Sequence, residues 1–347
     1  VDQAANRAKG VAAALLTPVL MGMAPIFGKL ALRSGVDPYT LTALRTCLAA
    51  LALWVIFALF YRRYLYIFPA GLIGTVAVGA INGLGSLLYY NGLLLLDNAS
   101  LAQLLNMLYV VFVMLLTRFY GHQISKLSLL RIALALTAVY LLVAPTEGYA
   151  RPPLHWAGVG LLIGAAFAYA LHAFLSQRVM YEMPAPTMAL YALTWMGATV
   201  LLARLVYGVL FPLRWEPVVP DGWWFVMGLT LVTAVGRVTL FAGVRTLGSL
   251  QTLLLNVGEL GVTLLAAFMW LGERMTPIQW VGMAVLVLSM MLSRWDGQVR
   301  DDVYRPLPHP VPFGGLPRDR GPLKPNAFST VSRVYRRRPG TGSDGQK

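Results

Sequence analysis

Between Leu250 and Leu271 the chain is apolar throughout except for a few neutral polar residues and one ionisable side chain, Glu259, near the middle. About 20 such residues cross the hydrocarbon of a bilayer as a helix, and inside lipid only a helix or a closed barrel satisfies its own backbone. Runs of this kind recur from end to end of the sequence, which confines the fold to an all-α polytopic membrane protein. Composition agrees, with 58% of residues hydrophobic and 12% charged, against about 25% charged in a soluble domain.

Ten runs are legible. Val11 to Leu32, Thr40 to Phe60, Ala70 to Leu96, Ala99 to Thr117 and Leu127 to Val143 come first. Trp156 to Leu175, Thr187 to Leu210, Trp223 to Leu247, Ser249 to Leu271 and Pro277 to Ser293 follow. The first carries Pro18, Gly22, Pro25 and Gly28, breakers tolerated in a membrane helix that lines a protein interior. Its length and the absence of a small-residue cleavage pattern argue against a removed signal peptide. After Arg294 the sequence is rich in Pro, Gly and Arg without an apolar period, so a disordered basic tail is expected there.

The runs fall into two similar sets. Ser249-Leu-Gln-Thr-Leu-Leu-Leu-Asn256 echoes Ser100-Leu-Ala-Gln-Leu-Leu-Asn106, Gly236-Arg237…Gly243 echoes Gly85-Ser86…Gly92, Pro186 echoes Pro38, and Leu271-Gly-Glu-Arg echoes Tyr120-Gly-His-Gln. A unit of five spans, being odd, restarts on the opposite face of the membrane, so its duplicate is inverted. The expected division is a short N-terminal segment 1–10, a first five-helix repeat 11–145, a linker 146–155, a second repeat 156–294 and the tail 295–347. Lys and Arg near the span ends gather on one side at Arg7, Lys9, Arg62, Arg63, Arg118, Lys126, Arg178 and Arg245, joined by the tail, against Arg33, Arg151, Arg214 and Arg274 on the other. This bias places both termini in the cytoplasm, and the expected location is a bacterial inner (cytoplasmic) membrane.

Met21-Gly-Met-Ala-Pro-Ile-Phe-Gly28-Lys29 with Asp37-Pro38…Ala43-Leu44-Arg45, and Leu271-Gly272-Glu273-Arg274…Gln279-Trp280-Val281-Gly282, resemble the opening helix pair and the closing signature of EamA-type transporters in the drug/metabolite transporter superfamily. The resemblance spans Val11 to Arg294. It implies ten helices in two inverted repeats and the export or exchange of small metabolites. The chain departs from that pattern at Gly121-His122-Gln123, where Gly-Glu is usual, and at Glu259, in a region where a Pro is more common.

An ionised acid at the bilayer centre costs about 2.5 to 3.5 kcal/mol on insertion scales. Glu259 therefore calls for a partner or a wet cavity. Arg237 stands about as far before the turn near Leu247 as Glu259 stands after it, so the two reach similar depths at about 1.5 Å per residue. The pair reads either as a strut or as a substrate or coupling-ion site with a proton as the coupling ion. Asn82, Asn106 and Asn256 read as interhelical hydrogen-bond glue or as ligand contacts. Tyr109 and Tyr169 lie deep enough to wall a cavity, whereas Tyr89, His172 and Trp195 read as packing or interfacial residues. Lys29 and Arg45 read as snorkelling side chains, and the family resemblance makes them candidate gates.

The leading function is a secondary transporter for a small metabolite, working by alternating access in the lipid bilayer. The alternative is a non-transporting membrane subunit that keeps the fold as a scaffold; no protein partner is identified. A net charge of +14 evokes nucleic acid, but no base-reading or stacking module accompanies it. Cys47 stands alone and His122, His155, His172 and His309 are scattered, which argues against metal chemistry. No phosphate-binding Gly-x-x-x-x-Gly-Lys loop is present, no nucleophile stands beside a base, and no cofactor is expected.

Overall fold

In lipid the side chains facing outward must be apolar, and the interior is left to small and polar groups that let helices approach. A computed structural model describes residues 2–67, 69–96, 98–119, 126–143, 155–180, 183–210, 220–247 and 249–292, and it follows this rule. Large apolar side chains such as Leu51, Val55, Leu202, Val209, Trp224 and Leu231 are exposed. Thr17, Lys29, Thr42, Arg45, Asn82, Ser86, Gln103 and Thr263 are buried.

The described residues form helices with no strand: α1 Asp2–Arg33, α2 Pro38–Phe60, α3 Pro69–Leu95, α4 Ala99–Asn106, α5 Tyr109–Phe119, α6 Lys126–Val143, α7 Trp156–Met180, α8 Ala185–Leu210, α9 Pro220–Leu247, α10 Ser249–Ala266 and α11 Pro277–Met291, with short turns at Arg62–Tyr64 and Ala267–Leu271. Their ends are specified locally. Asp37 caps α2 by accepting from the N–H groups of Tyr39 and Thr40, with Pro38 in the first turn, and Thr276 and Gln279 form a capping box on α11. Each satisfies donors that a helix start leaves orphaned. Gly272 at φ 66° ends the turn after α10 in the left-handed region, where a side chain would clash.

Among the described residues, counting α4 and α5 as one segment gives ten helical segments, of which six are long and apolar enough to cross a membrane; three shorter apolar helices lie at Leu129–Leu142, Gly258–Leu271 and Pro277–Met291. The expected fourth span, Ala99 to Thr117, lies on one apolar segment, Ala99–Leu116, interrupted by a turn. It breaks at Met107–Leu108 into a turn closed by Leu108 N–H to Leu105 O and Val111 N–H to Leu108 O bonds.

The helices of the two halves interleave. α1 packs on α9 and α10, and α7 packs in the same way on α3 and on α4 with α5; α2 meets α8, and α6 meets α11. Every one of these contacts joins the first half of the chain to the second, and each has its counterpart under exchange of the halves. The centre of the bundle is therefore lined from both.

Candidate functional site

Of the broken segment, α4 packs against α10, joining the two halves. Glu259 projects from α10, and its backbone carbonyl lies so near α1 that a Cβ added to Gly22 would stand 2.6 Å from it. The Thr263 hydroxyl donates to Gly22 O at 2.8 Å. Gly22 therefore serves as the seat on which α10 rests, a role for one of the helix breakers read in α1.

The Glu259 side chain is half-buried and is held by a residue that sequence reasoning did not single out. Gln103 of α4 donates from Nε2 to Glu259 Oε1 at 3.0 Å, and its own Oε1 accepts from the Tyr89 hydroxyl at 3.2 Å. Tyr89, Gln103 and Glu259 thus form a relay from α3 through α4 to α10, linking the two halves. Gln103 lies one helical turn before Asn106 in the repeated Ser-Leu motif, and that spacing was the available signal.

Arg237 of α9 is within electrostatic range of Glu259. The expected direct pair is corrected: neither Arg237 nor Glu259 makes an ion pair, and Arg237 makes no hydrogen bond, among the described residues. Gln103 occupies the position on the carboxylate that the guanidinium was expected to take. Arg237 also lies within range of Arg45 and Tyr169.

Arg45 and Lys29 do not snorkel. Arg45 is 8% exposed, donates to the Ser86 hydroxyl and lies 4.7 Å above the Tyr90 ring, a cation–π contact. Its Nε is buried without a partner. Lys29 is buried too, donating to the carbonyl oxygens of Leu93, at 2.9 Å, and Leu96. Both start near a span end, but α3 covers them, and the C-terminal carbonyls of that helix attract an ammonium more directly than water at a distance.

Glu273 completes the same corner from the other half of the chain. Its carboxylate accepts from Ala99 N–H at 2.6 Å, Ser100 N–H at 3.0 Å and the Ser100 hydroxyl at 2.7 Å, so the Gly-Glu turn of the second repeat caps α4 of the first. Asn98 shares the task by accepting from Leu101 N–H at 2.8 Å. A carboxylate at a helix N-terminus meets both orphaned donors and the positive end of the dipole.

The remaining residues separate. Asn82 is buried between α3 and α8, its Nδ2 3.3 Å from Met196 Sδ, a packing role. Asn106 has a buried Oδ1 without a partner at the break after α4. Tyr109 opens α5 and is half-buried, while Tyr169 of α7 lies within range of Arg45, Arg237 and Glu259. His172 places Nδ1 3.1 Å from Val78 O. The side chain of Asn256, the His122 turn and the tail 295–347 lie outside the described residues. Among the described residues no cluster of His, Cys, Asp and Glu suits a metal ion.

The model of the EamA-like transporter family matches residues 8–144 and again 156–295. One solved structure, described only as a crystal structure of protein, is similar over 82% of this chain and 98% of its own at 19% identity and a TM-score of 0.53, which bears on the fold alone. No curated protein matches. A double match covering most of the sequence, on a helical bundle whose polar centre is shared by the two matched segments, shows that the chain belongs to the EamA-like transporter family.

Proposed function

We propose that this membrane transporter is a secondary exporter or exchanger of a small metabolite, and that its two repeats, 11–145 and 156–294, alternate access to a central site. Ten spans in inverted repeats, with both termini cytoplasmic in a bacterial inner membrane, follow from the odd number of spans per repeat and the Lys and Arg bias. The observation that carries the reading is the Gln103–Glu259 bond. It joins the first repeat to the second at the only carboxylate on the bilayer-spanning part of α10, so any rocking of one repeat against the other changes the environment of that acid.

Glu259 is the proton-coupling group in this scheme. While it accepts from Gln103 the carboxylate is satisfied; when the repeats separate, it takes a proton from the open side or attracts Arg237. Tyr169, Arg45, Asn106 and Tyr109 surround the path, with Asn82 and Asn256 as supporting contacts and Lys29 holding the α3 end as the bundle moves. A wet and a drier state of one acid suffice to load and release a proton.

Proteoliposomes carrying an imposed pH gradient test this. Glu259→Gln should fold, retain substrate counterflow and lose gradient-driven accumulation. Full accumulation by Glu259→Gln removes the acid from the coupling step. A folded native chain that moves none of a broad metabolite panel favours the scaffold reading instead.

A further inference from the structure

Two arginines and one acid occupy the polar centre, and their charges do not cancel. Arg45 and Arg237 lie within range of one another, and Glu259 is the carboxylate within range of Arg237. With Glu259 ionised, one positive charge remains uncompensated among the described residues. Glu259 is moreover engaged by Gln103, Arg237 makes no hydrogen bond or ion pair among the described residues, and Arg45 Nε is buried without a partner. A guanidinium within the bilayer-spanning bundle without a counter-ion is costly. Two such groups brought together are costlier still, because like charges repel. A structural strut offers no compensation for this arrangement, whereas an anionic ligand does.

We propose that the central site recognises a small monocarboxylate, whose carboxylate sits against Arg237 with Arg45 behind it. This rests on the transporter reading and specifies its substrate class. The planar fork of a guanidinium matches a carboxylate through two parallel hydrogen bonds. One excess positive charge is balanced by one negative charge, so a monoanion fits better than a phosphate dianion. Tyr169, within range of both arginines and of Glu259, supplies a hydroxyl donor beside the carboxylate. Glu259, within range of Arg237 and Tyr169, adds its own negative charge, which keeps a second carboxylate out and favours a neutral remainder. An amine on the substrate is not required, because Gln103 already satisfies the acid.

Binding to the purified full-length chain in nanodiscs tests the proposal without requiring transport. Pyruvate, inorganic phosphate, glycine and ethylammonium are titrated at constant ionic strength, and the unfolding midpoint and the heat of binding are recorded. Pyruvate should raise the midpoint in a saturable way, and the other three should not. Arg237→Gln should weaken pyruvate binding about ten- to a hundredfold, the worth of a charged hydrogen-bonded contact, with Arg237→Lys intermediate. Should Arg237→Gln fail to fold, the order of the four probes on the native chain still decides. A response to phosphate, glycine or ethylammonium but not to pyruvate overturns the proposal, as does pyruvate binding unchanged in Arg237→Gln. Counterflow of labelled pyruvate in proteoliposomes separates the two readings. Binding without flux keeps this inference and overturns the transport reading, whereas flux of a cationic or zwitterionic substrate without pyruvate binding overturns this inference alone.

Discussion

Two places in the bundle bury charge, and they treat it in opposite ways. At the α3–α4 corner Lys29 donates to the Leu93 and Leu96 carbonyl oxygens, and Glu273 accepts three hydrogen bonds from Ala99 and Ser100. Each charge there is placed on the helix end whose dipole it complements. At the centre, Arg237 lacks a hydrogen bond among the described residues, Arg45 keeps an unpartnered Nε, and Glu259 is held by a neutral amide. The corner is saturated and the centre is not. Charge that is fully satisfied stabilises a fold, whereas charge left incomplete in lipid persists when a ligand or a proton completes it.

By that contrast, substitutions at the corner cost stability and those at the centre cost function. The largest loss is expected from Glu273→Ala, which strips the α4 start of its carboxylate; thermal unfolding in detergent should show about 2 to 4 kcal/mol of destabilisation. Lys29→Met keeps the length of the side chain and orphans the α3 carbonyls, for about 2 kcal/mol by the same measurement. A corner variant that unfolds like the native chain would erase the distinction.

Gly22→Ala tests the boundary between the regions. Its methyl group would meet Glu259 O and Val262, so overpacking of about 1 to 3 kcal/mol is expected, together with reduced transport because α10 shifts under the acid. Arg237→Gln should show the smallest loss of stability, or none, since it removes a guanidinium whose burial in a bilayer costs about 2.5 kcal/mol or more. Its gradient-driven accumulation should nevertheless fall to background. Destabilisation of Arg237→Gln as large as that of Glu273→Ala would make Arg237 a structural strut.

Much of this is legible in the sequence because lipid leaves the backbone few choices. The ends of α2 and α11 are written at Asp37-Pro38 and at Thr276-Pro277-Ile278-Gln279, since a cap and the donors it satisfies lie within one turn. The duplication is legible from paired Ser, Gly and Asn positions, and the acid of α10 from its isolation among apolar residues. The break between α4 and α5 is not, because the residues from Ala99 to Thr117 keep the hydropathy of one span and nothing local in Met107-Leu108 forbids a helix.

What the sequence by itself determined is therefore the set of helices, their caps, their repetition and the positions of Glu259 and Arg237 along their helices. Only the tertiary structure decided which partner each charge takes. Glu259 meets Gln103 rather than Arg237, Glu273 reaches back to Ala99 and Ser100, and Lys29 turns inward to α3. Position follows from counting residues along one helix, but partner choice depends on how helices far apart in the chain rotate and cross. That packing is set by close approaches such as Gly22 on Glu259, whose strength resides in two surfaces at once and in neither sequence segment alone.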